Sequence, residues 1–324
     1  MEYKIIATLG PASNSETIWS KMISAGASSF RLNCSHLEIS ELKRWLERIA
    51  EFNNRSDNKI PVVLDLQGSK WRLGNFPTRI LSKGQIIKLD CCSRSDDMGI
   101  LPVPHADFFE AASVSDKEIR LSDAKVILQL LTYSKDEITA KVIKAGEISS
   151  RKGITYSSTG YRKEVISEKD SEIIDCSICY DFIQYAVSYI KDSAEMSFYR
   201  EHIGTESYII AKLERESAIK EAFSIAKSSD ELWICRGDLG AELGIKQMAI
   251  KVSDIAEEIK NFSKPVIMAG QVLEHMTRNS SATRSEICYI YDCLLKGYKG
   301  FVLSDECAIG KFPVESCKAA SIFK

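Results

Sequence analysis

Tyr208-Ile-Ile-Ala-Lys212-Leu-Glu214 leads into the segment Glu216–Ala226, and that segment leads into Leu232-Trp-Ile-Cys235-Arg-Gly-Asp238. The two flanking runs are short, β-rich and almost continuously apolar, with polar residues gathered at their C-terminal ends. The segment between them places Ala218, Ile219, Ala222, Phe223 and Ala226 at the three- and four-residue spacing of one helical face. A strand without polar alternation is buried on both faces, as in a parallel sheet covered by helices. The same unit recurs in both directions along the chain. Further β-rich runs are Lys4–Leu9, Ser28–Asn33, Val62–Leu66, Phe182–Ser188, Pro265–Ala269 and Gly300–Leu303, and helical periodicity follows most of them, as in Ile39–Phe52. Eight such units predict an α/β fold closed as a (β/α)8 TIM barrel, in preference to an open doubly wound sheet.

The rhythm breaks once. Between about residues 76 and 148, Ile80–Leu89, Lys117–Leu121 and Glu137–Ala145 read as short strands separated by Gly and Asp/Ser turns. This predicts a small lid-like β domain at 76–148, inserted after the third strand into a barrel made of 1–75 and 149–324. Loops at that end of a barrel tolerate insertions and carry function.

The 324 residues are 44% apolar and 27% charged, enough for a large core, and the formal net charge is -2. A near-neutral balance excludes nucleic acid or an anionic membrane as an electrostatically driven partner. No apolar run nears the ~20 residues of a membrane span, and the first residues lack the basic head and apolar stretch of a secretion signal, so a cytoplasmic protein is expected. The ten cysteines fall partly inside apolar runs, which suits reduced structural thiols. Cys176-Ser-Ile-Cys179 lacks the two further ligands that a metal site would need nearby.

The chemistry is concentrated where barrels put it, at the C-terminal ends of strands. Those ends read Arg31-Leu-Asn33-Cys-Ser35, Asp65-Leu-Gln-Gly-Ser-Lys70-Trp-Arg72, Lys212-Leu-Glu214, Arg236-Gly237-Asp238, Gly270-Gln271 and Ser304-Asp305-Glu306. Lys212 and Glu214 are two apart and so point the same way on a strand. Glu214 and Asp238, from adjacent strands, can share one hard cation, and Mg2+ (or Mn2+) typically takes one or two carboxylates plus substrate oxygens. A lysine beside them would neutralise a phosphoryl group in transfer. Arg31, Arg72, Arg151 and Lys152 add cationic donors suited to phosphate.

At these residues the sequence resembles the pyruvate kinase family. The similarity runs through Lys4-Ile-Ile-Ala-Thr-Leu-Gly-Pro11-Ala-Ser13, Arg31-Leu-Asn-Cys-Ser-His36, Ile148-Ser-Ser-Arg-Lys-Gly153, Ser167-Glu-Lys-Asp170, Ile209-Ile-Ala-Lys-Leu-Glu214 and Arg236-Gly-Asp-Leu-Gly-Ala-Glu242. It continues through Gln271-Val-Leu-Glu-His-Met276, Thr283-Arg-Ser-Glu286 and Leu303-Ser-Asp-Glu306. The resemblance implies Mg-dependent phosphoryl transfer between phosphoenolpyruvate and ADP, giving pyruvate and ATP, as in glycolysis. It implies Lys212 on the phosphoryl group, Glu214 and Asp238 on the metal, Arg31 on phosphates and Arg72 at the phosphoryl site. Pro11, Arg151 and Lys152 would serve the nucleotide. The backbone at Gly237-Asp238, position 270 and Ser188 would line the substrate pocket, and Glu306 would belong to the proton-delivery network. Asn33, Ser35 and Asp65 would form the monovalent-cation pocket. Leu66, Gln67 and Lys70 resemble the potassium-independent pattern, in which a fixed ammonium at Lys70 replaces K+. A homodimer through the barrel is compatible with this reading.

The sequence departs from the family at several points. Gly270 stands where a threonine is usual, so a hydroxyl is lost and space is gained; Gly270→Thr is expected to raise activity on phosphoenolpyruvate. Gly244 replaces a proline, and Cys307 a small hydroxyl residue. The insert matches poorly, and the chain is expected to be a truncated form, barrel plus insert, without the family's C-terminal domain. Three readings therefore stand side by side. They are a compact pyruvate kinase, a paralogue acting on a different 2-oxo acid or enol (kinase, decarboxylase or lyase), and a non-catalytic regulatory homologue.

Overall fold

In the computed structural model of the protein the described residues are 1–35, 37–56, 59–115, 117–122, 124–156 and 166–324. They form two compact units. The first comprises Met1–Gly68, Ile166–Arg236 and Ala249–Lys324; the second comprises Ser69–Val165 and Gly237–Met248.

The first unit is the predicted barrel. Its strands are β1 (Lys4–Thr8), β2 (Ser29–Asn33), β3 (Val62–Leu66), β4 (Ile183–Val187), β5 (Tyr208–Leu213), β6 (Glu231–Cys235), β7 (Val266–Ala269) and β8 (Gly300–Leu303). Each pairs in parallel with its neighbours in the chain, and β8 returns to β1 through Lys4↔Gly300 to Ala7↔Leu303, which closes the sheet. Ile6, Val63, Ile210 and Ile267, from alternate strands β1, β3, β5 and β7, pack with Trp233 and Val302 in the interior, as expected for a filled barrel. At the N-terminal end of β6 the buried Glu231 carboxylate accepts hydrogen bonds from Lys4 Nζ (2.6 Å), Trp233 Nε1 (2.6 Å) and Tyr208 Oη (3.1 Å). The outer helices begin where capping residues stop the loops. Ser15 Oγ accepts from Ile18 N, Ser167 Oγ from Asp170 N, and Thr283 with Glu286 closes a capping box at Arg284–Lys296. Among the described residues no helix is long and apolar enough to cross a membrane, and all ten cysteines are free thiols.

The second unit is a six-stranded sheet in the order Ile154–Tyr156, Glu118–Leu121, Val126–Tyr133, Glu137–Lys144, Ile86–Asp90, Ile100–Pro102, with Arg79–Leu81 and Gly146–Ile148 paired separately. The expected run Ile80–Leu89 is two strands, broken at Gly84, whose φ of 87° turns the chain. The expected limits of 76–148 are too narrow. Ile154–Tyr156 pairs with Glu118–Leu121, which carries the unit past 148. Arg120 Nη1 donates to the carbonyls of Ala241 and Glu242, tying in the segment from Gly237.

Candidate active site

The barrel unit gathers its ionised side chains on β2, β3 and β5. Asn33 pairs with Asp65, and Asp65 with Ala186, so the register itself sets the β3 carboxylate between neighbours. Arg31 donates to Asp65 Oδ2 through Nε at 2.7 Å and through Nη2, and to Thr8 Oγ1 through Nη1 at 2.9 Å. Asp65 Oδ1 accepts from Ser188 Oγ at 2.9 Å and from Lys212 Nζ at 3.1 Å. Lys212 Nζ also reaches Ser188 Oγ at 2.8 Å and Glu214 Oε1 at 2.8 Å. Glu214 Oε2 accepts the Tyr189 N–H at 2.7 Å. Asp65, Lys212 and Glu214 are 2%, 8% and 1% exposed, so water screens these charges little.

Burial alone would lower the Lys212 pKa, but the Asp65 and Glu214 carboxylates outweigh it and hold the ammonium above the ordinary lysine range. Burial would raise Asp65, and Lys212 and Arg31 reverse this and keep it below the usual carboxylate range. Arg31 has five N–H donors, of which these contacts use three, leaving two for an incoming anion.

The chain just after β3 is fixed by Asp170, which is fully buried and accepts from Gln67 N and Gly68 N at 2.9 Å each. Gly68 is required there. Its φ is 62°, and a Cβ would lie 1.8 Å from Ser188 O. At β8, Glu306 is 1% exposed and accepts from Ser304 N (2.9 Å) and Leu273 N (3.4 Å). Burial pushes its carboxyl up to about 7, against the backbone hydrogen bonds, which favour the charged form. Pro11 opens a short 3-10 turn at Pro11–Ser13, and Asn33 Oδ1 accepts Ser35 N at 3.2 Å.

The folded state holds the Glu306 proton up to about 7, whereas the unfolded chain releases it near ~4.3. Stability is therefore expected to fall as pH rises between those values, by at most about 4 kcal/mol. Glu306→Gln should flatten that slope in denaturant titrations across pH 4 to 8. Equal slopes in the two proteins would show that Glu306 does not hold a proton in the fold.

Lys70, Arg72, Arg151, Lys152, Gly237 and Asp238 lie in the second unit. The Lys70 ammonium pairs with the Asp238 carboxylate of the same unit. A Cβ at Gly153 would lie 2.3 Å from Lys70 Cε, so the lysine stem occupies the space that this glycine leaves. The Asp65 oxygens accept from Arg31, Lys212 and Ser188. Arg72 Nη1 donates to Arg151 O at 3.2 Å, and Lys152 O accepts Leu73 N. Gly237 and Asp238 lie in the first turn of helix Arg236–Leu243. Among the described residues no group of three or more His, Cys, Asp or Glu could enclose a metal. Mg2+ typically takes only one or two carboxylates and fills its other positions with water or substrate oxygens, so a site of that kind needs fewer such groups.

Two departures acquire physical reasons. Gly244 has φ 77°, which proline cannot adopt. Gly270 has φ 85°, and a β-branched residue is a steric outlier there. Threonine at 270 cannot simply restore a hydroxyl without rebuilding the turn, so the expected gain from Gly270→Thr is withdrawn. Thr8, Tyr189, Asp170 and Arg236 were not singled out from sequence. For Asp170 the signal was present, since it lies in the matched stretch Ser167–Asp170.

The family model described as "Pyruvate kinase, barrel domain" matches residues 1–317. A pyruvate kinase of Thermotoga maritima is 30% identical over 323 residues, covering 98% of this chain and 69% of the relative. One of Thermococcus litoralis is 31% identical, covering 97% and 67%. The crystal structure of a pyruvate kinase from Cryptosporidium parvum superposes with a TM-score of 0.85 at 25% identity, covering 99% of this chain and 68% of that one. The chain thus spans about two thirds of the length of these relatives.

Proposed function

Because the chain belongs to the pyruvate kinase family, we propose that it transfers a phosphoryl group between phosphoenolpyruvate and ADP, giving pyruvate and ATP. The observation that carries this reading is the buried Lys212 ammonium at the end of β5, held between Asp65, Ser188 and Glu214. Phosphoryl transfer needs fixed positive charge where the three equatorial oxygens pass, more than it needs covalent help from the protein. The raised pKa keeps Lys212 charged throughout the neutral range. Its three N–H donors are all engaged, so an incoming phosphoryl oxygen must replace one acceptor. Mg2+ at Glu214, with Asp238 as a further proposed ligand, would supply charge neutralisation at the phosphoryl oxygens. Arg31 turns its two remaining donors to phosphate. Glu306, titrating near 7, is suited to the proton balance of the enolate.

A coupled assay with phosphoenolpyruvate, ADP and Mg2+ tests the reading. Pyruvate and ATP should appear in equal amounts. Absence of both, with folded protein and several nucleoside diphosphates, would overturn it. The second reading, a different enol or 2-oxo acid, is favoured by one observation, the side-chain-free left-handed backbone at Gly270.

Potassium is proposed to be dispensable, and the charge balance of the barrel site supports this. Arg31 and Lys212 already balance Asp65 and Glu214, one cation for each carboxylate. Turnover is therefore expected to agree within about twofold in Na+, K+ and tetramethylammonium buffers of equal ionic strength. Strong K+ activation would show that the charge count omits a bound ion.

A further inference from the structure

The chain leaves β7 through two consecutive residues of positive φ, Gly270 at 85° and Gln271 at 53°. The carbonyls of both face one side chain. Arg236 donates through Nε to Gly270 O at 3.0 Å, and through Nη2 to Gly270 O and to Gln271 O, the latter at 3.0 Å. The guanidinium lies over the Tyr289 ring, 4.6 Å from its centroid. Three residues beyond Gly270, the Leu273 N–H donates to Glu306 Oε1. The loop after β7 is therefore tied to the end of β6 by a cation and to the end of β8 by an acid.

The left-handed region costs a non-glycine residue roughly 1–2 kcal/mol, so Gln271 needs a compensating contact. A planar guanidinium can bridge two carbonyls and stack on an aromatic face at once; an ammonium cannot reproduce that geometry. Arg236 is given no part in the phosphoryl chemistry above; it meets this backbone and the Tyr289 ring.

We propose that Arg236 is a positioning residue. It holds the Gly270–Gln271 turn left-handed, and so fixes the path of the side-chain-free backbone at 270 beside the 2-oxo acid or enol phosphate. That path leaves room for a substituent on C3 of that substrate. The inference rests on the phosphoryl-transfer reading for its substrate class, but not for the role of Arg236 in the turn.

The test compares wild type, Arg236→Lys, Arg236→Met and Tyr289→Leu. Hydrogen exchange over residues 268–276 reads the turn. Steady-state kinetics with phosphoenolpyruvate and its C3-methyl analogue read specificity. Calorimetry with pyruvate and 2-oxobutanoate in Mg2+ reads the same preference without turnover. Losing charge-assisted hydrogen bonds is expected to speed exchange about tenfold or more in Arg236→Met. The KM for the C3-methyl analogue should rise about tenfold relative to that for phosphoenolpyruvate, with kcat changed less than about threefold. Arg236→Lys should fall between, and Tyr289→Leu should move the same way. Unchanged exchange in Arg236→Met overturns the positioning role. Faster exchange with unchanged KM and affinity ratios overturns the specificity role. If wild type turns over neither phosphate ester, the phosphoryl-transfer reading fails, and exchange with the calorimetric ratio still decides for or against Arg236. Should Arg236→Met fail to fold, Arg236→Lys decides by the same measurements.

Discussion

Lys212→Met is expected to lower phosphoryl-transfer turnover about 100- to 1,000-fold, the usual loss for one preorganised charge donor. Methionine keeps the unbranched stem and removes the ammonium that meets Asp65, Ser188 and Glu214. Asp65 keeps Arg31, so one of the two buried carboxylates stays neutralised. Breaking a buried pair from one side typically costs about 3–5 kcal/mol of stability. Thermal unfolding must therefore accompany the kinetics, and activity is compared only at temperatures where both proteins are folded. Proton exchange on the methyl group of pyruvate needs no phosphoryl charge donor, and it should survive in the mutant. A folded Lys212→Met protein that keeps turnover within about tenfold of wild type would remove Lys212 from the chemistry. Equal loss of metal affinity and turnover would make it a structural support of Glu214.

Glu214→Gln has a comparable expected effect by a different route. The amide preserves volume and can still accept the Tyr189 N–H, whose donor lies 2.7 Å from Glu214 Oε2. What disappears is the charge that a divalent cation needs and that holds Lys212 on this side. Turnover at a fixed Mg2+ concentration should fall by about 100-fold or more. Titration with Mn2+, followed by its electron paramagnetic resonance signal, should show weaker binding. Partial recovery of rate at high metal concentration would fit a weakened site. Wild-type metal affinity in Glu214→Gln would place the ion elsewhere and end the proposed role of this carboxylate.

Both residues were legible because they lie two apart on one strand, and a strand sends alternate side chains the same way. The barrel was legible for a related reason: strands such as Tyr208–Leu213, buried on both faces, carry their burial in composition alone. Other features depend on distant chain segments. Asp65 meets Ser188 and Lys212 because β3, β4 and β5 are neighbours in register, and no local pattern announces that meeting. In the second unit Val126–Tyr133 went unread because Val-Ile-Leu-Gln-Leu-Leu alternates poorly, although the sheet places it centrally. Lys70 and Asp238 are 168 residues apart in sequence, and no local pattern announces their ion pair either. The turn at 270 could not be foreseen, since glycine permits either hand of backbone and a positive φ at Gln271 is imposed by tertiary contacts.

The pairing of β1 with β8 bears on biosynthesis. Lys4 finds Gly300, so the sheet cannot close until the last strand has left the ribosome. At ~5–20 residues per second, that leaves β1 waiting for about 15 s or longer with one apolar edge unmatched. Ile5, Ile6 and Ala7, which end with at most 1% exposure, are available to other chains through that interval. A nascent chain of this kind is a natural client for a chaperone that shields its N-terminal segment. Ribosome-bound chains that carry β8 clear of the exit tunnel on a C-terminal linker should be sharply more protease-resistant than those ending before residue 300.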